Sequence, residues 1–111
     1  MAIGERTLGP EHPDTLVTVG NLGSLLCDKG DLAAAEPLLQ RTLEARERVL
    51  GPEHPDTLTA VHNLGALLVK KGHFAAAEPL VRRALETSER IFGPEHPDTL
   101  MYARVWRRMR P

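Results

Sequence analysis

The chain has 111 residues, of which 41% are hydrophobic, 26% charged and only 4% aromatic. That is one domain's worth of sequence with enough apolar side chains for a modest core, and the shortage of aromatics favours close-packed helices over a sheet sandwich. A formal charge of −1 removes the global electrostatic drive of a nucleic-acid binder, and a single cysteine, Cys27, excludes an internal disulfide framework or a thiolate metal cluster.

The first nine residues, MAIGERTLG, align with LEARERVLG at 43–51, so they read as the end of a helix whose beginning is missing. No basic stretch followed by an apolar core opens the chain, and no apolar run approaches the roughly 20 residues that cross a bilayer. A soluble, cytoplasmic protein without a membrane segment is expected, and the truncated leading helix suggests a piece of a longer array.

Next comes LGPEHPDTL at 8–16, which recurs at 50–58, and GPEHPDTL returns at 93–100, always at an offset of 42. Between these copies NLGSLL from Asn21 recurs as NLGALL from Asn63, Lys29-Gly30 as Lys71-Gly72, and AAAEPL from Ala33 again from Ala75. The punctuation divides each unit into two helices. Pro13 suits a first helical turn and Asp14 complements the positive end of the helix dipole. Leu16, Val19, Leu22 and Leu26 then follow at spacings of three and four, which make one apolar face, and Gly30 stands where a left-handed cap ends a helix. Asp31 can cap a second helix, along which Leu32, Ala35, Leu39, Leu43 and Leu50 trace another stripe before Gly51 and Pro52 stop it.

Helices are therefore predicted over 13–29, 31–49, 55–71, 73–91 and 97–109. The organisation reads as a single domain: 1–9 the end of a preceding second helix and a linker, 10–51 repeat one, 52–93 repeat two, and 94–111 a partial third repeat that caps the stack. Pro37 and Pro79 fall inside the second helix of each repeat, where they should bend it or loosen its first turns.

The positions Val19, Leu22, Gly23, Leu26, Gly30 and Ala35, matched by Val61, Leu64, Gly65, Leu68, Gly72 and Ala77, resemble the tetratricopeptide helix-turn-helix signature. Gly23 and Gly65 look like the small residues that let the first helix (A) approach the second (B), with Ala35 and Ala77 facing them; Leu26 and Leu68 replace the usual aromatic, and Thr42 the late helix B alanine. The period exceeds the usual 34 or so residues by a segment carrying LGPEHPDT, an insertion similar to that of the kinesin light chain subfamily. The arrays behind nucleotide-switch ATPase domains of multidomain signalling proteins are similar too.

The resemblance implies an all-α, right-handed α-α superhelix, a tetratricopeptide solenoid of two full repeats and a capping helix. It also implies a non-catalytic adaptor that needs no cofactor and grips a peptide or helix of a protein partner in a concave groove lined by the A helices. By position the exposed groove residues would be Val17, Gly20, Asn21, Ser24 and Cys27, then Thr59, His62, Asn63, Ala66 and Val69, then Met101, Arg104, Val105 and Arg108. Asn21 and Asn63 suit backbone contacts, because an amide both donates and accepts. Gly20, Met101 and Val105 do not supply the basic residues of the carboxylate clamp known from chaperone-binding relatives. Self-association through open repeat ends is the alternative from the structural class.

Enzymatic readings find little support. His12, His54 and His96 recur once per repeat, so stacking would hold them about 10 Å apart, too far to share one zinc at about 2 Å per ligand. His62 and His73 read as isolated groove or surface residues. The HPD tripeptide also occurs in J-domain co-chaperones, but its recurrence in phase with the repeat is better explained by a helix start at which the histidine hydrogen-bonds locally. Cys27 has no partner histidine in its unit, Ser24 and Ser88 lie in no nucleophile elbow, and no GxxxxGK loop exists. One basic patch stands out: Arg104, Arg107, Arg108 and Arg110 around Trp106, which could draw an acidic or nucleic-acid partner. The plainer reading is that Trp106, at the register of Leu22 and Leu64, closes the core while the arginines solvate the chain end.

Overall fold

The computed structural model describes residues 13–109 and contains five helices there: α1 (Pro13–Asp28), α2 (Leu32–Leu50), α3 (Pro55–Lys70), α4 (Phe74–Phe92) and α5 (Pro97–Met109). Every predicted helix is present with its ends within one residue of the expected place. The expected helix end at 1–9, His12 and Arg110 lie outside the described residues. The backbone forms two compact units, Met1–Ala60 and Val61–Pro111, which divide within α3.

Local chemistry explains where each helix stops. Gly30 and Gly72 have φ of 87° and 80°, the left-handed region that glycine enters without a Cβ penalty. At the first, the Gly30 N–H bonds the Cys27 carbonyl and the Asp31 N–H the Leu26 carbonyl; at the second, Gly72 bonds Val69 and His73 bonds Leu68. This pair of bonds is the Schellman arrangement, which satisfies carbonyls left over at a helix end. Pro37 and Pro79 interrupt nothing, since α2 and α4 run through them. Each sits in the second turn, and the carbonyls they leave unmatched, those of Ala33 and Ala75, belong to exposed residues, where water can satisfy them.

The caps of α2 and α4 differ. The Asp31 side chain accepts the Ala34 N–H at 3.3 Å, whereas His73 caps α4 without a side-chain hydrogen bond. Asp31→Ala is expected to cost about 1 kcal/mol and His73→Asp to gain up to about that amount, since a carboxylate cap satisfies an orphan N–H and suits the helix dipole. Thermal melts of the two variants check both signs.

In the first unit α1 packs on α2. Leu16, Val19, Ala35, Leu39, Leu43, Ala45, Leu58 and Ala60 are buried, while Leu22, Leu26 and Leu32 are half-buried and Leu50 is exposed. The expected α2 stripe thus ends at Leu43 and Ala45, one turn before the helix does. A Cβ on Gly23 would lie 2.9 Å from Leu39 Cδ2, so glycine is what permits the close approach of α1 and α2. Thr42, which replaces the expected alanine, satisfies its own hydroxyl by donating to the Leu38 carbonyl at 2.9 Å.

In the second unit Val61, Leu64, Leu67, Leu68, Ala77, Val81, Ala84 and Tyr102 are buried. Gly65 plays the part of Gly23, with Val81 Cγ2 2.9 Å from where its Cβ would be. The α5 helix packs on α4, and the buried hydroxyls of Ser88 and Thr99 bond across that contact. Trp106 is half-buried rather than sealed like Leu64.

Candidate functional site

The repeated HPDT segment resolves first, because it is the most distinctive string in the sequence. His54 is the N-cap of α3: its carbonyl accepts the Leu58 N–H and its ring Nδ1 accepts the Asp56 N–H at 3.1 Å. His96 does the same for α5 with Leu100 and Asp98. A neutral imidazole thus fills the place usually taken by Ser, Thr, Asp or Asn, with proline at the first helical position where its missing N–H is no loss. His96 is further fixed by stacking on Phe92, ring centroids 4.7 Å apart.

The following threonine is buried in all three copies, Thr15, Thr57 and Thr99. Thr57 donates to the Arg46 carbonyl, and the Arg46 guanidinium reaches the Asp56 carbonyl at 3.1 Å. The segment that looked chemical therefore starts a helix and ties it to the helix before. Among the described residues no three His, Cys, Asp or Glu side chains gather at metal-binding spacing.

The A-helix positions assigned to the groove divide by exposure. In α1, Val17 and Asn21 are exposed and Gly20, Ser24 and Cys27 half-buried. In α3, Thr59 is exposed, with its hydroxyl turned back to the Pro55 carbonyl, and Asn63, Ala66 and Val69 are half-buried. In α5, Met101, Arg104 and Arg108 are exposed and Val105 half-buried. Position 17 and its counterparts 59 and 101 thus face solvent in all three A helices.

His62 does not belong with them. It retains only 8% of its accessible surface, its Nδ1 has no hydrogen-bond partner, and its ring lies 4.8 Å from that of Tyr102. The expectation of an exposed groove histidine is corrected: His62 stands about 100° around the helix from Asn63, and its ring lies against Tyr102 of α5. Burial pushes its pKa below the ordinary 6.5. The one cue in the sequence was register, since His62 stands where the small Gly20 stands in the first repeat, with room at α1 for only ordinary contact with Thr42.

Exposed apolar residues that the repeat pattern did not assign are Leu25, Val49, Phe74, Ile91 and Leu100. Val49 and Ile91 occupy the same register of α2 and α4. No helix among the described residues is long and apolar enough to cross a membrane.

Comparison with known proteins places this architecture. A tetratricopeptide repeat family model matches residues 16–90. Two crystal structures of a Podosopora anserina protein provisionally named a kinesin light chain, with nearly identical TPR-like repeats, one of them a single-substitution variant, match with a TM-score of 0.91 at 26% identity. The alignment covers 97% of this chain and 51% of each of those, so the chain spans about half their length. No curated protein sequence matches significantly. The all-α fold is of the tetratricopeptide superhelical class, whose members generally mediate protein–protein interaction and are typically non-catalytic. The 42-residue period, the capped helical hairpins and these matches together make the chain a member of the tetratricopeptide repeat family, of the kinesin light chain-like type.

Proposed function

We propose that the chain is a non-catalytic adaptor that holds a peptide or helix of a protein partner against the solvent-facing sides of its A helices, α1, α3 and α5. The observation that carries this reading is the recurrent exposure at 17, 59 and 101, where two of three residues are apolar, beside the amides of Asn21 and Asn63. Apolar contact supplies the affinity, and an amide that donates and accepts can hold an extended backbone in register. A pull-down with mass spectrometry, comparing the native chain with Asn21→Ala/Asn63→Ala, tests it. Partners bound by the native chain should fall at least about tenfold in the double variant, the loss of about 1.4 kcal/mol; full retention would remove both amides from the contact.

A second reading, attraction of an acidic or nucleic-acid partner to α5, is favoured by Arg104, Arg107 and Arg108, which are all exposed. Its signature is a binding constant that falls steeply with salt. If Arg104→Ala/Arg108→Ala left both affinity and salt slope unchanged, the arginines would be excluded.

A further inference from the structure

Within the second unit, His62 of α3 is the ionisable group least suited to its surroundings. It is more than nine-tenths buried, its Nδ1 is unpartnered, and the ring of Tyr102, itself 1% exposed, lies tilted against it at 4.8 Å. A buried polar atom without a partner costs stability and calls for an explanation. The group seen against it is an aromatic ring and not a carboxylate. Its own helix carries charge only near the two ends, at Asp56 and Lys70. Along α4, on which α5 packs, the charged side chains are Glu78, Arg82, Arg83, Glu86, Glu89 and Arg90, of which Arg82 pairs with Glu78. From α5 the facing group is the Tyr102 phenol, and the charges on α5 beyond Asp98 are Arg104, Arg107 and Arg108.

We infer that the His62–Tyr102 contact is a proton-sensitive latch: with His62 neutral α5, which packs on α4, is also held at α3, and protonation of His62 loosens α5 at that contact. This goes beyond the adaptor reading, because it concerns the docking of a helix whether or not a partner is bound. The physical basis is that protonation turns the buried Nδ1 into a charged donor with no partner, and an aromatic ring offset from it at this distance does not replace water. Loss of hydration on burial is the cause that lowers the His62 pKa. The loosened state, in which His62 regains its ordinary value of 6.5, binds more protons than the docked one. Docking is therefore at full strength above pH 6.5 and weakens as pH falls from there toward the lowered value.

The chain's single tryptophan, Trp106, sits half-buried on α5, so its emission reports the environment of that helix. In the full chain, Trp106 emission should shift to the red as pH falls from 7.5 to 5, with a midpoint below 6.5 that matches the titration of the His62 ring followed by NMR. His62→Phe should abolish the shift. His96 also touches α5, as its N-cap, so His96→Asn, which keeps an accepting cap, is the needed control and should retain the shift. An unshifted Trp106 in the native chain, a midpoint that does not coincide with that of His62, or a shift lost in His96→Asn would each overturn the latch. Coincidence of the two titrations in the native chain tests it even if His62→Phe does not fold.

Discussion

Leu67→Ala is expected to cost about 3 kcal/mol of unfolding free energy, whereas Leu25→Ala, the same change at the same register one repeat earlier, is expected to cost less than about 1 kcal/mol. The two leucines are 42 positions apart in near-identical surroundings, NLGSLL and NLGALL. Leu67 is 0% exposed and Leu25 49%. Truncating the first removes about three carbons from close contact and leaves a void, while truncating the second mostly removes surface that water already reached. Urea denaturation of the two variants checks the difference. Equal losses would mean that Leu25 is covered in solution, by a partner or by chain outside the described residues.

The second large effect belongs to Gly65. Gly65→Leu is expected to destabilise by about 3 kcal/mol, and Gly65→Ala by about 1 kcal/mol in spite of alanine's better helix propensity, while Gly23→Ala is near neutral. Both glycines would bring a Cβ to 2.9 Å from a neighbour, but the neighbours differ. At Gly23 it is the Cδ2 end of Leu39, which can turn away by a rotamer adjustment, while Leu39 Cγ at 3.2 Å must give by a few tenths of an ångström, a cost that alanine's better helix propensity offsets. At Gly65 it is Cγ2 of Val81, whose β-branch leaves little rotamer freedom on a helix, with the Val81 backbone nitrogen behind it at 3.6 Å. The same denaturation series measures all three. A stabilised Gly65→Ala would show that α3 and α4 can separate more easily than their contact suggests.

These two cases show which parts of the molecule were legible from residues alone. Helix positions followed from strong local signals: glycine where φ is positive, aspartate at the start of α2, proline opening α1, α3 and α5, and apolar spacing of three and four between them. Glycine at 23 and 65 was correctly read as a close helix approach, although the side chains nearest to it are Leu39 and Val81 rather than Ala35 and Ala77. Prolines 37 and 79 lie inside continuous helices, each in the second turn.

Candidate site residues were harder. A one-dimensional register sorts positions onto helix faces but does not see the neighbouring helix, so His62 was placed with its solvent-facing neighbours when Tyr102 covers it. The same blindness left Leu25 unremarked, since its repeat counterpart is fully buried. The HPDT string was legible as a helix start, and the structure adds the atom that performs the capping, the ring Nδ1 of His54 and His96.

The proposal that the A helices carry the binding surface is tested most directly by NMR. The full chain, labelled on backbone amides, is titrated with a partner segment recovered in the pull-down. The expected result is a set of shifts at Val17, Asn21, Thr59, Asn63, Met101 and Arg104, with the exposed sides of α2 and α4, among them Val49 and Ile91, unmoved. Shifts concentrated on Val49, Ile91 and their neighbours, with the A helices silent, would contradict it and assign recognition to the B helices instead.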